Sequence, residues 1–345
     1  MSIYSSILIA LYIISAILVI VERVNRNNIG NLTTLFVSFC AFLMAAFRPE
    51  VFPDVDVYEV IFDAAATGAF NDPEYWLVHS EPGFKIICFL IASTGVGVKG
   101  LFVFMSLLSY GLLIVTSRLA KVGISYLWFT YFSFYFIIRD LGQIRLAIAS
   151  HLIVLVVLQS KVLTQLLLGG INILSFQAFA FMAQLSSFLA KIRPTIGIFV
   201  TLIIFSFLLG NRVTINETQL FISERLFDKW STSYQLELGS VTLGASRNVI
   251  LGFVAYWMLQ SELNNRTYRL WIWMLFLSAV GYIFFMNIVV VGMRVGAYFG
   301  AILPLVFAYS LSTHKMKNQR FRIPFIVCII NFILNTYSND WFWKP

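Results

Sequence analysis

The sequence predicts an all-α, polytopic membrane protein folded as one integral membrane domain over residues 1–345. Three observations carry that expectation. Of 345 residues 59% are hydrophobic and only 12% are charged, where a soluble surface needs about a quarter charged. The mean hydropathy is +0.85. The apolar residues also fall into runs near the roughly twenty residues that cross a hydrocarbon core, broken by two sizeable polar stretches, 48–82 and 211–247, expected as outer loops.

The runs can be justified in order. Ile3 to Val21 has no positive residue ahead of it and no small-residue cleavage site behind, so it reads as a retained helix. The arginines of the following ERVNRN favour the cytoplasm and set the N-terminus outside. Leu32 to Phe47 returns outward to the polar stretch that holds Asp54, Asp56, Glu59, Asp63, Asp72, Glu74, His79 and Glu81. Within it Val57, Ile61, Ala64 and Ala65 recur at helical spacing, which predicts a short amphipathic helix at the interface.

Phe84 to Val98 is short and interrupted by Ser93, Gly95 and Gly97, whereas Leu101 to Thr116 is long enough to span with its flanks. If both cross, the RLAK at Arg118 to Lys121 is outside and Arg139 and Arg145 are inside. If the first is re-entrant the sides are exchanged, and the positive-inside bias favours that second arrangement. Ile124 to Ile138 and Ile144 to Leu158 are further spans; Val162 to Ala190 reads as a tilted helix or a tight pair. Pro194 to Leu209 leads to the second outer loop, whose end GSVTLGASRN reads as flexible. Val249 to Leu259, Leu270 to Val291, Val295 to Leu311 and Ile323 to Tyr337 complete about ten to twelve membrane segments.

Cys40, Cys88 and Cys328 lie inside apolar runs, and His79, His151 and His314 are far apart, so neither a disulfide framework nor a metal site is expected. The net charge of +8 is spread between membrane segments as topology signals, which argues against nucleic acid. There is no Walker motif and no GxGxxG, and no cofactor is expected.

Chemistry is suggested first by RDLGQIRLAIA, Arg139 to Ala149, where charged residues stand between two apolar runs. An unpaired guanidinium at membrane depth costs several kcal/mol, about 2.5–3.5 at the centre of an inserted helix, so an anion is expected opposite these arginines. Arg48, Arg139, Arg145, Arg247 and Arg294 each abut an apolar run on the inferred outer side, where orientation does not need positive charge. Snorkelling to phosphate headgroups accounts for any one of them. Several together make a set of planar donors matched to phosphate oxygens, and a lipid-linked pyrophosphate is then the missing counter-charge. Arg139, Gly142 and Gln143 share one helix face and Arg145 points elsewhere; a break at Gly142 would bring both arginines to one pocket. Asp54 and Glu81 are the complementary candidates: a partly desolvated carboxylate is suited to taking a proton from a sugar hydroxyl. The plain alternative is that these acids solvate the loop or pair with Arg48.

The order of four pieces resembles the EpsG family of bacterial polysaccharide proteins, grouped with Wzy-type polymerases of lipid-linked repeats. They are Arg48 followed by Asp54, Tyr58 and Phe62; EPGF at Glu81 to Phe84; GQIRLAIA at Gly142 to Ala149; and the Arg294 to Phe299 segment with its Tyr-Phe ending. The resemblance implies a metal-independent glycosyltransferase acting at the periplasmic face of the bacterial inner membrane. Arg48, Arg139, Arg145 and Arg294 would bind pyrophosphate, and Asp54, Glu81 and Arg145 would carry the catalysis. Tyr58, Trp230 and Tyr234 would meet sugars. Its partners would be undecaprenyl-pyrophosphate-linked glycans as donor and acceptor, membrane lipid and a chain-length regulator protein.

Two departures bear on the general base. AQLSSFLAKIRP has Gln184, Ser186 and Ser187 where the family carries a His, and Leu146 replaces the usual Gln after Arg145. The rival readings are an oligosaccharide-lipid ligase with a different acceptor and a non-enzymatic transporter or flippase. The latter predicts midplane charges and internal duplication, whereas the charges here collect at the ends of runs.

Overall fold

The computed structural model of the chain describes residues 3–25, 29–49, 52, 54–67, 81–159, 162–176, 188–210, 238–286, 289–314, 316 and 318–337. Among these residues the protein is helical, with no strand. Five helical stretches are long and apolar enough to cross a membrane: Tyr4–Val24, Val98–Ala120, Arg266–Phe284, Val291–Thr313 and Gln319–Tyr337. Shorter apolar helices accompany them. The chain divides into two compact units, Met1–Ala178 with Leu303–Pro345, and Phe179–Ile302.

The first unit holds α1 (Ile3–Asn25), α2 (Ile29–Ala46), α3 (Val55–Ala66), α4 (Pro82–Ser93), α5 (Val98–Ala120) and α6 (Ile124–Tyr131). The last runs directly into a π-helix, Phe132–Asp140. Then come α7 (Ile144–Leu158) and α8 (Val162–Ser175), and, from the C-terminal part, α13 (Leu303–Thr313) and α14 (Gln319–Tyr337). The second unit holds α9 (Ile196–Gly210), α10 (Leu238–Leu259), α11 (Arg266–Phe284) and α12 (Val289–Gly300).

Side-chain contacts sort the helix ends of the first unit into two sets. Glu22 at the end of α1 accepts from Ser125 at the start of α6, and Arg23 donates to the Ser312 carbonyl at the end of α13, 2.9 Å away. This end also carries Arg118 and Lys121, where α5 finishes. At the other end Arg48, just past α2, reaches the Leu141 carbonyl at 3.1 Å and lies over the Phe102 ring near the start of α5. Gly83, at the start of α4, fits against Ser175 at the end of α8, where an added Cβ would meet the serine Oγ at 2.1 Å. One end therefore gathers Glu22, Arg23, Arg118 and Lys121, and the opposite end Arg48, Glu81, Arg139 and Arg145.

That sorting agrees with the re-entrant arrangement of the two read from the sequence. α4 has 12 residues, about 18 Å of helix, against a hydrocarbon core of about 30 Å. α5 is long enough to cross, and it leaves RLAK at the end of Arg23 and the arginine pair at the end of Arg48, where the Leu141 carbonyl meets the Arg48 guanidinium. A shared end for Arg48 and Arg139 is what the re-entrant arrangement requires. The interfacial helix is present as α3, but its buried face is Val55, Tyr58, Ile61, Phe62 and Ala65. Val57 is half exposed, one step round from the stripe expected, because Tyr58 and Phe62 bury more area than the alanines and set the rotation. GSVTLGASRN, expected as flexible, is helical within α10. Its glycine lets α10 approach α11 closely, with the Tyr282 ring 3.2 Å from where a Gly244 Cβ would sit, and such packing outweighs weak local propensity. The span expected over Leu270 to Val291 ends at Phe284, and α12 begins at Val289.

Candidate functional site

Each charged residue at this end of the first unit is placed by a recognisable local feature. α2 ends at Ala46, leaving carbonyls without helical partners. Arg48 folds back over them, Nε donating to Ala45 O at 2.9 Å and Nη1 to Leu141 O at 3.1 Å. A cation there also complements the helix dipole. Its Cζ lies 4.8 Å from the Phe102 ring centroid. Nη2 has no hydrogen-bond partner among the described residues. Burial pulls the guanidinium down to about 10, still charged at neutral pH.

Arg139 and Asp140 close the π-helix, both buried. The Arg139 guanidinium sits 3.4 Å above the Tyr135 ring. Asp140 accepts from Ser109 at 2.6 Å and from the Tyr131 hydroxyl. Ser109 is also 3.1 Å from His151 Nε2, and the Tyr131 and His151 rings are 4.9 Å apart. Asp140 interacts electrostatically with both Arg48 and Arg139. The anion expected opposite the arginines therefore lies partly within the quoted stretch itself.

The helix breaks at Leu141 to Gln143, as the glycine predicts. Gly142 lies so close to the preceding turn that a Cβ would meet Ile138 O at 2.6 Å, which no other residue accommodates without movement. α7 then starts afresh and puts Arg145 in its first turn, a position where a cation opposes the dipole. Glu81 answers it. This residue occupies the N-cap position of α4, ahead of Pro82, and its Oε2 accepts from Arg145 Nη1 at 2.6 Å. The pair keeps 21% and 17% of its side-chain surface open, so it is neither sealed nor fully screened. Arg145 Nε has no hydrogen-bond partner among the described residues.

Aromatic rings frame this pair. Arg145 Cζ is 5.3 Å from the Phe84 centroid and 5.9 Å from that of Tyr58, and Tyr58 packs edge-on against Phe84 and Phe102. Burial raises the Tyr58 phenol above its ordinary value, so it stays protonated beside the cation. Asp54 stands exposed at the N-cap position of α3 with φ 65°, in the left-handed region, and makes no capping bond. It interacts electrostatically with Arg145 and Tyr58.

Of the residues singled out in the sequence, Arg48, Asp54, Tyr58, Glu81, Arg139 and Arg145 thus lie at one end of one unit. Arg294 is exposed on α12 in the other unit. Trp230 and Tyr234, like His79, Gln184, Ser186 and Ser187, lie outside the described residues. The reading passed over Asp140, Ser109, Tyr131 and His151 as a group. The signal available for them was the Arg-Asp pair at a membrane boundary; the serine, tyrosine and histidine lie on faces that nothing in their neighbours marks. Among the described residues no three His, Cys, Asp or Glu side chains converge as metal ligands, and Cys40, Cys88 and Cys328 are free.

The segments that form this end, around Arg48 to Phe62, Glu81 to Phe84 and Gly142 to Ala149, are those whose order resembles EpsG proteins. The sequence model of that family matches residues 31–345, nearly the whole chain. The chain belongs to the EpsG family. Membership of EpsG, a family associated with Wzy-type polymerases, makes it a polysaccharide-polymerase-like membrane protein. No curated protein and no solved structure matches the chain.

Proposed function

We propose that this EpsG protein polymerises undecaprenyl-pyrophosphate-linked oligosaccharide repeat units at the periplasmic face of the bacterial inner membrane. Support for this orientation comes from Arg23, Arg118 and Lys121 in the connections at the end opposite Arg145, since lysine and arginine in short connections favour the cytoplasmic side. At the other end, by contrast, Arg48 and Arg139 are buried and Arg145 is paired. The donor is the growing glycan on its lipid pyrophosphate. A hydroxyl oxygen of the incoming unit forms a bond to the donor's anomeric carbon. The bond from that carbon to the pyrophosphate oxygen breaks, and its electron pair leaves with undecaprenyl pyrophosphate. The hydroxyl proton passes to a carboxylate.

The observation that carries this reading is the Arg145–Glu81 pair, partly open and flanked by Asp54 and Tyr58. Glu81 occupies on Arg145 the place that a phosphate oxygen of the donor would take, since both are anionic acceptors for a guanidinium fork. Entry of the pyrophosphate exchanges the partner of Arg145, and the released Glu81 becomes a free carboxylate next to the reacting carbon. Asp54, exposed and close to the same guanidinium, orients the acceptor hydroxyl, with the Tyr58 ring as a sugar platform. Arg48 and Arg139 add fixed positive charge that favours the negative charge gained by the leaving pyrophosphate. Arg294 belongs to the other unit, and this chemistry is built on the first unit alone.

Replacing Arg145 by Lys and by Ala, and examining surface polysaccharide on gels at matched protein levels, tests the reading. Loss of long chains with accumulation of single lipid-linked repeats is expected, more severe for Ala. Normal ladders from both variants would overturn it. Offering lipid A core as acceptor in the same assay distinguishes polymerase from ligase.

A further inference from the structure

The π-helix raises its own question, because such helices are rare and usually a single turn long. Here nine residues, Phe132–Asp140, are wound this way. The i to i−5 pattern continues in the bonds from Leu141 N to Phe136 O at 3.2 Å and from Gln143 N to Ile138 O at 3.1 Å. The winding decides where its last residues point. At about 100° per residue, an α-helix would set Tyr131 and Asp140, nine positions apart, on opposite faces; in this structure the Tyr131 hydroxyl donates to the Asp140 carboxylate.

Two buried asparagines of α14 reach the segment. Asn331 Nδ2 donates to Ser133 O at 2.6 Å, and Asn335 Nδ2 donates to Ser133 O at 2.9 Å and to Phe134 O at 3.2 Å. Spaced four apart, they share one face of α14. These bonds fix where the Ser133 and Phe134 carbonyls lie in the present winding. Returning to α winding would move these carbonyls and leave two buried amides to find other acceptors. The same turn is pinned by Tyr12, whose hydroxyl is 3.1 Å from Ser133 Oγ, and Tyr12 in turn stacks on Phe332 of α14 at 3.7 Å.

We infer that Asn331 and Asn335 are positioning residues: by claiming the Ser133 and Phe134 carbonyls they hold the π winding that delivers Arg139 and Asp140 to the charged end of the unit. Their consequence for activity rests on the function proposed above; their consequence for the helix does not. The test uses the full chain in lipid nanodiscs and in cells, with Asn331→Leu, Asn335→Leu, the double variant and Asn335→Gln, which retains an amide donor. Amide hydrogen exchange is read over residues 132–143, and polysaccharide ladders are compared at matched protein levels beside Arg145→Ala.

The double variant is expected to exchange at least tenfold faster over 132–143, with α1 and α5 unchanged, and to lose long chains at least tenfold; Asn335→Gln recovers part of both. Asn331→Leu, which leaves Asn335 on both carbonyls, falls between and serves if the double variant does not accumulate. Unchanged exchange over 132–143 overturns the inference. So does faster exchange with normal ladders when Arg145→Ala abolishes them. If Arg145→Ala itself gives normal ladders, the functional reading falls, and the exchange result alone decides the role of the asparagines.

Discussion

Arg145 and Glu81, 64 positions apart in the chain, close a 2.6 Å ion pair that ties the first turn of α7 to the N-cap of α4. It sets a cation against the dipole of its own helix and stabilises it through an anion that favours the start of another.

The pair therefore carries more stability than a surface salt bridge. Glu81→Ala is expected to cost about 1–3 kcal/mol by leaving a largely buried guanidinium without its partner. A double-mutant cycle with Arg145→Ala, read from thermal unfolding in detergent, is expected to give a coupling of about 1 kcal/mol or more. A coupling near zero would mean that water replaces Glu81 at no loss.

Gly142→Ala tests the break between the π-helix and α7. With a Cβ only 2.6 Å from Ile138 O, either the turn opens or Arg145 shifts, at a cost of about 1–3 kcal/mol as for other overpacked positions. Lower thermal stability and shortened glycan chains are expected together. Ala at Gly111, exposed inside α5 where a Cβ meets nothing within 4 Å, is the control and should lower neither stability nor chain length.

The buried network around Asp140 gives a graded prediction. Ser109→Ala removes one donor to Asp140 and the partner of His151, costing about 1–3 kcal/mol. Asp140→Asn keeps the shape but turns one acceptor toward the Tyr131 or Ser109 hydroxyl as a competing donor, and is expected to cost more. Unfolding midpoints at equal detergent rank the two; the reverse order would mean that Asp140 is not the acceptor of both hydroxyls.

Sidedness can be read with an impermeant maleimide in cells whose Cys40, Cys88 and Cys328 are replaced by Ser. Gln143→Cys and Lys121→Cys are both at exposed positions. The first is expected to label from the periplasm and the second only after the inner membrane is permeabilised. Labelling of Lys121→Cys alone in intact cells would invert the proposed orientation.

Much of this end was legible in the sequence because charge is costly in an apolar chain. Arg48, Glu81, Arg139 and Arg145 stand out against their runs, and the glycine between the last two announces the break. Proline at 82 marked the start of α4. What was hidden depends on winding and rotation. Nothing local distinguishes Phe132–Asp140 from an α-helix, so neither the Tyr131–Asp140 contact nor the asparagines some 200 positions away were predictable from spacing. The rotation of α3 was missed by one step because its hydrophobic pattern fits two adjacent faces, and the choice falls to the rings of Tyr58 and Phe62. The helical start of α10 was hidden by its glycines and serines; Gly244 is where the Tyr282 ring of α11 comes close.

One helix that borders the charged end and keeps an exposed apolar face is short: α8, with Leu163, Leu166, Leu167, Ile171 and Leu174 outward, has 14 residues, about 21 Å of rise. Lipid beside this face would meet a hydrophobic belt narrower than its own acyl layer, and local thinning is one way bilayers answer such mismatch. Thinning here would lower the headgroup plane toward Arg145. A polyprenyl carrier of the proposed kind would arrive with its phosphates already near guanidinium depth, and no displacement of its tail from the leaflet would be required.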